Sequence, residues 1–172
     1  MKVLAIVQAR MGSTRLPNKV MREVGGIPLI ELLLTRLSQS TAIDQIVLAT
    51  SIDPKNIPLV QHVESLGYQS FQGSENDVLE RFYFAAQQFA GDIIIRITGD
   101  CPLIDPQLVD EAIHKFRTAD VDYLCNTNPP TFPDGLDIEV FSFAALERAH
   151  NESHAPSDRE HVTPYIRESG HF

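Results

Sequence analysis

The stretch at residues 2–19, KVLAIVQARMGSTRLPNK, decides the fold. Residues 2–7 are apolar after the first and do not alternate, the pattern of a strand buried on both faces in a parallel sheet. They run directly into residues 8–18, a loop containing Gly12, Ser13 and Pro17. In an open α/β sheet a loop that follows a strand in this way lies at the carboxyl edge, where ligands sit. Neither G-x-G-x-x-G nor G-x-x-x-x-G-K-[ST] is present, so this is neither a dinucleotide fingerprint nor a P-loop. The residue types nevertheless suit phosphate. Gly12 lets backbone pass close to an anion, Ser13 and Thr14 are neutral donors, and Arg10, Arg15 and Lys19 bring positive charge. A guanidinium grips two phosphate oxygens at once, whereas Lys acts as a movable point charge. Spacing alone leaves a second reading open, a solvated surface loop with incidental charge.

The distribution of charge favours the anion site. The chain carries a formal net charge of −9, yet Arg10, Arg15, Lys19 and Arg22 are four of its 14 Lys and Arg residues and no acid interrupts them. Screening confines exposed charges to a range of about 8 Å, so local sign outweighs the total. The acidic total argues against a general nucleic-acid partner, which needs a basic face. No apolar run approaches the ~20 residues of a membrane span, so no membrane partner is expected. The first residues are too short an apolar run for a signal peptide, and Cys101 and Cys125 lack C-x-x-C spacing; both features fit a cytoplasmic chain.

Outward from the loop, strands and helices alternate. Residues 20–24 read as a short extended segment closed by Gly25-Gly26, and Pro28 as the first position of a helix over 29–38. Strands are expected at 45–50, 69–72, 92–98 and 123–126, and helices at 57–66 and 106–117. Ser74-x-x-Asp77 has the form of a capping box opening a helix with Val78, Leu79, Phe82, Ala86 and Phe89 inward. After a Pro-rich loop at 127–135, residues 138–141 read as an antiparallel strand at the sheet edge, followed by helices at 144–150 and 158–168. The expectation is one α/β domain over 1–172, a mostly parallel sheet with helices on both faces.

Asp100 follows the strand at 92–98 through Gly99, also at the carboxyl edge. There a carboxylate can hold Mg²⁺, which uses one or two carboxylates together with substrate phosphates; G-D-x-P is also good turn chemistry. Asp105 reads as a helix cap before Pro106. Asp77 and Arg81 have the spacing of an i,i+4 ion pair. His150 and His154 also stand four apart but lack a third ligand, and Cys101 lacks a base partner, so neither is read as a site.

The run QARMGSTRLPNK resembles the signature loop of the sugar cytidylyltransferases, which include the 3-deoxy-manno-octulosonate and N-acylneuraminate enzymes. The likeness is greatest to the members similar to spore coat polysaccharide biosynthesis protein F. GSENDVLERF at 73–82, ITGDCPLIDP at 97–106, DGLDIEVF at 134–141 and REHVTPY at 159–165 extend the resemblance through nearly the whole chain. The resemblance implies a Rossmann-like fold of the nucleotide-diphospho-sugar transferase type. It implies nucleotide contacts from Ala9, Arg10, Gly12, Ser13, Arg15 and Lys19, with Arg10, Lys19 and Asp100 catalytic and Asp100 a Mg²⁺ ligand. Asp137, Glu139 and His161 are the candidates for binding the acceptor, with solvated strand charge as the alternative for the first two and a helix surface salt bridge for the third. The implied reaction transfers CMP from CTP to an acidic sugar for surface polysaccharide synthesis, and the family is commonly a homodimer. The resemblance also implies a further C-terminal strand and helix carrying a second acidic metal ligand, absent from these 172 residues; the expectation is either a shortened form of a longer chain or a naturally short one with weakened catalysis. Competing readings are a metal-dependent glycosyltransferase using Asp120-Val121-Asp122, although that motif precedes its strand, and a non-catalytic nucleotide-binding domain.

Overall fold

The computed structural model describes residues 1–13 and 16–172. Its centre is strand β1 (Val3–Gln8), bordered by β4 (Gln45–Ser51) and β6 (Ile93–Thr98), both parallel to it. β5 (Gln69–Gly73) extends the sheet beyond β4. Beyond β6 come two antiparallel additions, β8 (Glu139–Ser142) and then β7 (Tyr123–Cys125), giving the order β5-β4-β1-β6-β8-β7. A small hairpin pairs β2 (Glu23–Val24) with β3 (Ile27–Pro28).

Both faces of β1 are buried, and its side chains divide between two cores by strand alternation. Val3, Ala5 and Val7 face α1 (Leu29–Leu37), α2 (Ile57–Ser65) and α4 (Pro106–Thr118) through residues such as Leu33, Val63 and Ile113. Leu4 and Ile6 face α3 (Val78–Gln88) and α5 (Phe143–Glu152) through Phe82, Ala86 and Leu146. Two short helices, α6 (Pro156–His161) and α7 (Pro164–Glu168), complete that layer, Ile166 of α7 entering the same core. The three-layer α/β/α architecture follows from strands that are apolar on both faces.

Four local expectations are corrected. The segment at 20–24 begins as a 3₁₀ turn, Lys19–Met21, and only then enters the hairpin, whose turn uses Gly25 and Gly26 at φ 62° and 82°. Pro28 is the N-cap of α1 rather than its first residue. The expected helix over 158–168 is split in two at Val162, with Pro164 opening the second piece. Finally, β8 is not at the sheet edge. β7 pairs outside it, so β8 is flanked on both sides and its inward residues are buried.

Candidate functional site

From β1 the chain goes outward to β4 and β5, then returns to β6 on the other side of β1. Such a reversal leaves a crevice outside the carboxyl ends of the two neighbouring strands. Gln8 and Thr98, the last residues of β1 and β6, are register partners, and the Gly99 amide donates to the Gln8 carbonyl at 2.8 Å. A Cβ on Gly99 would lie 2.6 Å from the Ala9 Cβ and 3.1 Å from the Gln8 carbonyl oxygen. Glycine is therefore what allows the strand ends to meet, and it brings Arg10 and Asp100 to one cleft of about 800 Å³. That volume is within the usual range of small-molecule sites.

The loop is held by backbone bonds. The amides of Ser13 and Asn18 both donate to the Met11 carbonyl, at 2.9 and 3.2 Å, and Asn18 takes a left-handed conformation that Asn tolerates. The 3₁₀ turn at Lys19–Met21 buries Val20 and so points Lys19 into the cleft, where its Nζ donates to Asp100 Oδ2 at 2.8 Å. Burial pushes the Asp100 carboxyl upward. The hydrogen bonds from Lys19 and Thr98 and the charge of Lys19 outweigh that, leaving it below the ordinary carboxylate value. Arg10 reaches the same cleft with its side chain half exposed, and its Nη1 donates to Glu75 Oε1 at 2.8 Å.

The opposite wall is formed by residues 74–77 and by α6. Asp77, rather than Ser74, is the N-cap of α3, accepting from the Glu80 amide at 2.8 Å. Its other oxygen pairs with Arg159 of α6 at 2.6 Å, so the expected Asp77–Arg81 pair does not form. Arg81 instead turns inward, 1% exposed, and donates to the Ser74 carbonyl at 2.7 Å. Burial lowers its pKa to about 10, against the opposing charge of Glu75, so it stays cationic near neutrality. His161 ends α6 facing the cleft, and the next residue, Val162, adopts φ 71° and ψ −55°. With the Thr163 amide donating to the His161 carbonyl at 2.9 Å, this is a γ-turn of the rarer, strained kind.

The structure therefore brings Ala9, Arg10, Ser13, Lys19, Asp100 and His161 into one cleft. Arg15 lies outside the described residues. Gly12 is exposed and lies outside the cleft lining; a Cβ there would meet only Glu75, at 3.9 Å. Asp137 and Glu139 do not line the cleft either. Glu139 is 5% exposed, accepting from Tyr123 and Thr163, both at 2.6 Å, and from Arg96. The expectation that it reaches an acceptor assumed an edge strand; on the flanked β8 its carboxylate is consumed by the protein. Asp137, partly buried, has its pKa raised by burial and by Asp134, Glu139 and Asp100. Among the cleft residues that sequence reasoning did not select are Gln8, Thr98, Arg81 and the loop at 74–77; the last lies in the family-like stretch at 73–82 but was read only as a helix-capping pattern.

Asp120 and Asp122 lie at the amino end of β7, away from the cleft, with Asp122 accepting from Ser142 Oγ at 2.9 Å. The buried Cys101 thiol is pushed up by burial and, with Thr98 opposing, by the charges of Asp100 and Asp137, which suits an inert thiol. His150 stacks on Tyr83 with ring centroids 4.3 Å apart. Among the described residues no group of three His, Cys, Asp or Glu side chains could hold a metal unaided. Asp100 is a single hard, half-exposed carboxylate, a donor set suited to an ion that is also held by phosphate oxygens. No helix among the described residues is long and apolar enough to cross a membrane.

A family model described as cytidylyltransferase matches residues 4–171. The chain is 44% identical over 169 residues to an uncharacterized protein of Methanocaldococcus jannaschii, covering 98% of this chain and 68% of that protein. It is 38% identical over 175 residues to the spore coat polysaccharide biosynthesis protein SpsF of Bacillus subtilis, covering 96% of this chain and 70% of that one. A solved cytidylyltransferase from Leptospira borgpetersenii superposes with a TM-score of 0.94 at 36% identity, over 98% of this chain and 71% of that one. The match runs through both strand ends that build the cleft, and the chain belongs to the cytidylyltransferase family, a family of nucleotidyltransferases.

Proposed function

We propose that this protein transfers CMP from CTP to a hydroxyl of an acidic sugar destined for surface polysaccharide, releasing pyrophosphate. The observation that carries the reading is the convergence of Arg10, Lys19 and Asp100 in one cleft at the sheet's switch point. The acceptor hydroxyl oxygen attacks the α-phosphorus and gives up its proton to water, the bond to the pyrophosphate oxygen breaks, and negative charge accumulates on the leaving group. Such a transfer needs positioning and charge stabilisation more than covalent participation by the protein. Arg10 binds phosphate oxygens in a fork, and Lys19 moves from Asp100 to the triphosphate. Asp100, with phosphate oxygens, would hold Mg²⁺; when bound, the ion neutralises charge on those oxygens. Ala9, Ser13 and Arg15 complete the nucleotide side, and His161 on the facing wall contacts the acceptor.

The name of SpsF supports a polysaccharide role, and the acid-free run holding Arg10, Arg15, Lys19 and Arg22 in an otherwise acidic chain supports an anionic pair of substrates. The test is pyrophosphate release from Mg-CTP with a panel of acidic and neutral sugars. Release dependent on an acidic sugar supports the reading. Release with neutral sugars alone overturns the acceptor class, and CTP binding without release with any sugar favours a nucleotide-binding role.

A further inference from the structure

Behind the phosphate loop stands a buried polar assembly that takes no part in the proposed transfer itself. Ser51, the last residue of β4, is 0% exposed, and Asn56, at the end of the following 3₁₀ turn Pro54–Asn56, is 2% exposed. Buried polar groups of this kind are costly unless fully partnered. Asn56 donates through Nδ2 to the Ser51 hydroxyl at 2.7 Å and to the Ser51 carbonyl at 3.2 Å. Its Oδ1 accepts from the Met11 amide at 2.8 Å, fixing the backbone of the phosphate loop. The Ser51 hydroxyl donates to one oxygen of Glu75, and the other oxygen of Glu75 accepts from Arg10 Nη1 at 2.8 Å. The assembly thus grips the loop twice, at the Met11 backbone and at the Arg10 side chain.

We infer that Glu75 is a positioning residue, its carboxylate held by the Ser51 hydroxyl, which Asn56 in turn fixes, so that it presets the Arg10 guanidinium for phosphate. The inference rests on the reading of Arg10 as a nucleotide-phosphate ligand. One geometric fact separates presetting from blocking. The bond to Glu75 uses one of the guanidinium's five N–H donors, and among the described residues Arg10 has no further side-chain or backbone acceptor. Half-exposed, Arg10 offers its remaining donors to the cleft. A free Arg side chain must be immobilised when phosphate binds; one already tethered loses less freedom on binding. The ordering of one such side chain corresponds to roughly three- to tenfold in affinity.

The experiment titrates Mg-CTP into the wild-type chain, Glu75→Ala, Glu75→Gln, Arg10→Ala and the Glu75→Ala/Arg10→Ala double variant. The expected result is roughly three- to tenfold weaker binding for Glu75→Ala. Glu75→Gln, which keeps an acceptor for Arg10, retains most of the affinity. The Glu75 effect vanishes in the Arg10→Ala background. Unchanged or tighter binding by Glu75→Ala, or the same loss with and without Arg10, overturns the inference. A wild-type chain that fails to bind CTP instead removes the reading on which the inference rests. An NMR readout decides independently of affinity. The Arg10 guanidinium resonance of the free protein, assigned by its loss in Arg10→Ala, is distinct and slow to exchange with solvent. In Glu75→Ala it collapses into the averaged arginine signal, and a resonance unchanged in that variant would also overturn the inference.

Discussion

Lys19 and Asp100 face each other across the mouth of the cleft at 2.8 Å, each partly exposed, so their pairing adds little stability and is available for exchange with a ligand. The proposed reaction uses that exchange. Lys19→Ala is expected to lower turnover by about 10²–10³, the loss typical when one charge-stabilising donor is removed. A fall of less than threefold in kcat would exclude the role. Gly99→Ala tests the geometry that assembles the site. Its Cβ would collide with Ala9 and the Gln8 carbonyl, neither able to withdraw without disturbing a central strand. Denaturant unfolding should show a loss of about 1–3 kcal/mol, the usual range for overpacking, together with weakened nucleotide binding. At this scale Arg10 and Asp100 were legible because they are charged residues just beyond strand ends, and Lys19 because it belongs to the acid-free basic run that follows the first strand. Arg81 was not, since nothing in its neighbours announces a buried guanidinium, and its spacing from Asp77 suggests an ordinary surface pair.

Between elements, isolated carboxylates anchor segments that lack regular structure. Asp110 of α4 accepts from the Thr41 amide at 3.0 Å, the Ala42 amide at 3.2 Å, the Thr41 hydroxyl at 2.8 Å and the Ser40 hydroxyl, pinning the turn before β4. Burial raises its pKa, and these hydrogen bonds outweigh the burial and hold it below its ordinary value. A carboxyl depressed on folding stabilises the protein above its unfolded pKa, about 3.9, and that stability fades as pH falls through the folded value. Asp110→Ala should therefore cost about 1–2 kcal/mol at pH 7, discounted for partial exposure. Urea unfolding should show the gap from wild type narrowing as pH falls below that unfolded value. On the other face, Thr163 donates to the buried Glu139 at 2.6 Å immediately after the strained Val162. Thr163→Val should destabilise the fold by about 1–3 kcal/mol by removing one partner from a buried carboxylate, and it should loosen α6, which carries Arg159 and His161. The individual strands and helices could be read from their apolar periodicity. The order of β7 and β8 could not, because pairing is decided by tertiary neighbours, and with it went the burial of Glu139.

Across the whole molecule, one central strand sets the architecture. β1 is parallel to both neighbours, feeds both cores and delivers the phosphate loop at the point where strand order reverses. Local sequence was sufficient for the three-layer fold because the strands are apolar on both faces, which requires helices on both sides. The contact between the wall at residues 74–77 and the phosphate loop was hidden because it is a matter of spatial adjacency, with Glu75 lying sixty-five positions from the Arg10 it holds. The net charge of −9 makes the acid-free basic run at residues 10–22 a local exception, so nucleotide affinity should weaken with ionic strength. Titration of Mg-CTP between low and high salt measures that slope, and salt-independent affinity would argue against phosphate contacts by Arg10 and Lys19. The most direct test of the central claim is calorimetric titration of this chain with CTP, ATP, GTP and UTP, each with Mg²⁺. Selective binding of CTP that is lost in Arg10→Ala is the predicted result; equal binding of all four nucleotides, or CTP binding unaffected by Arg10→Ala, would contradict the account.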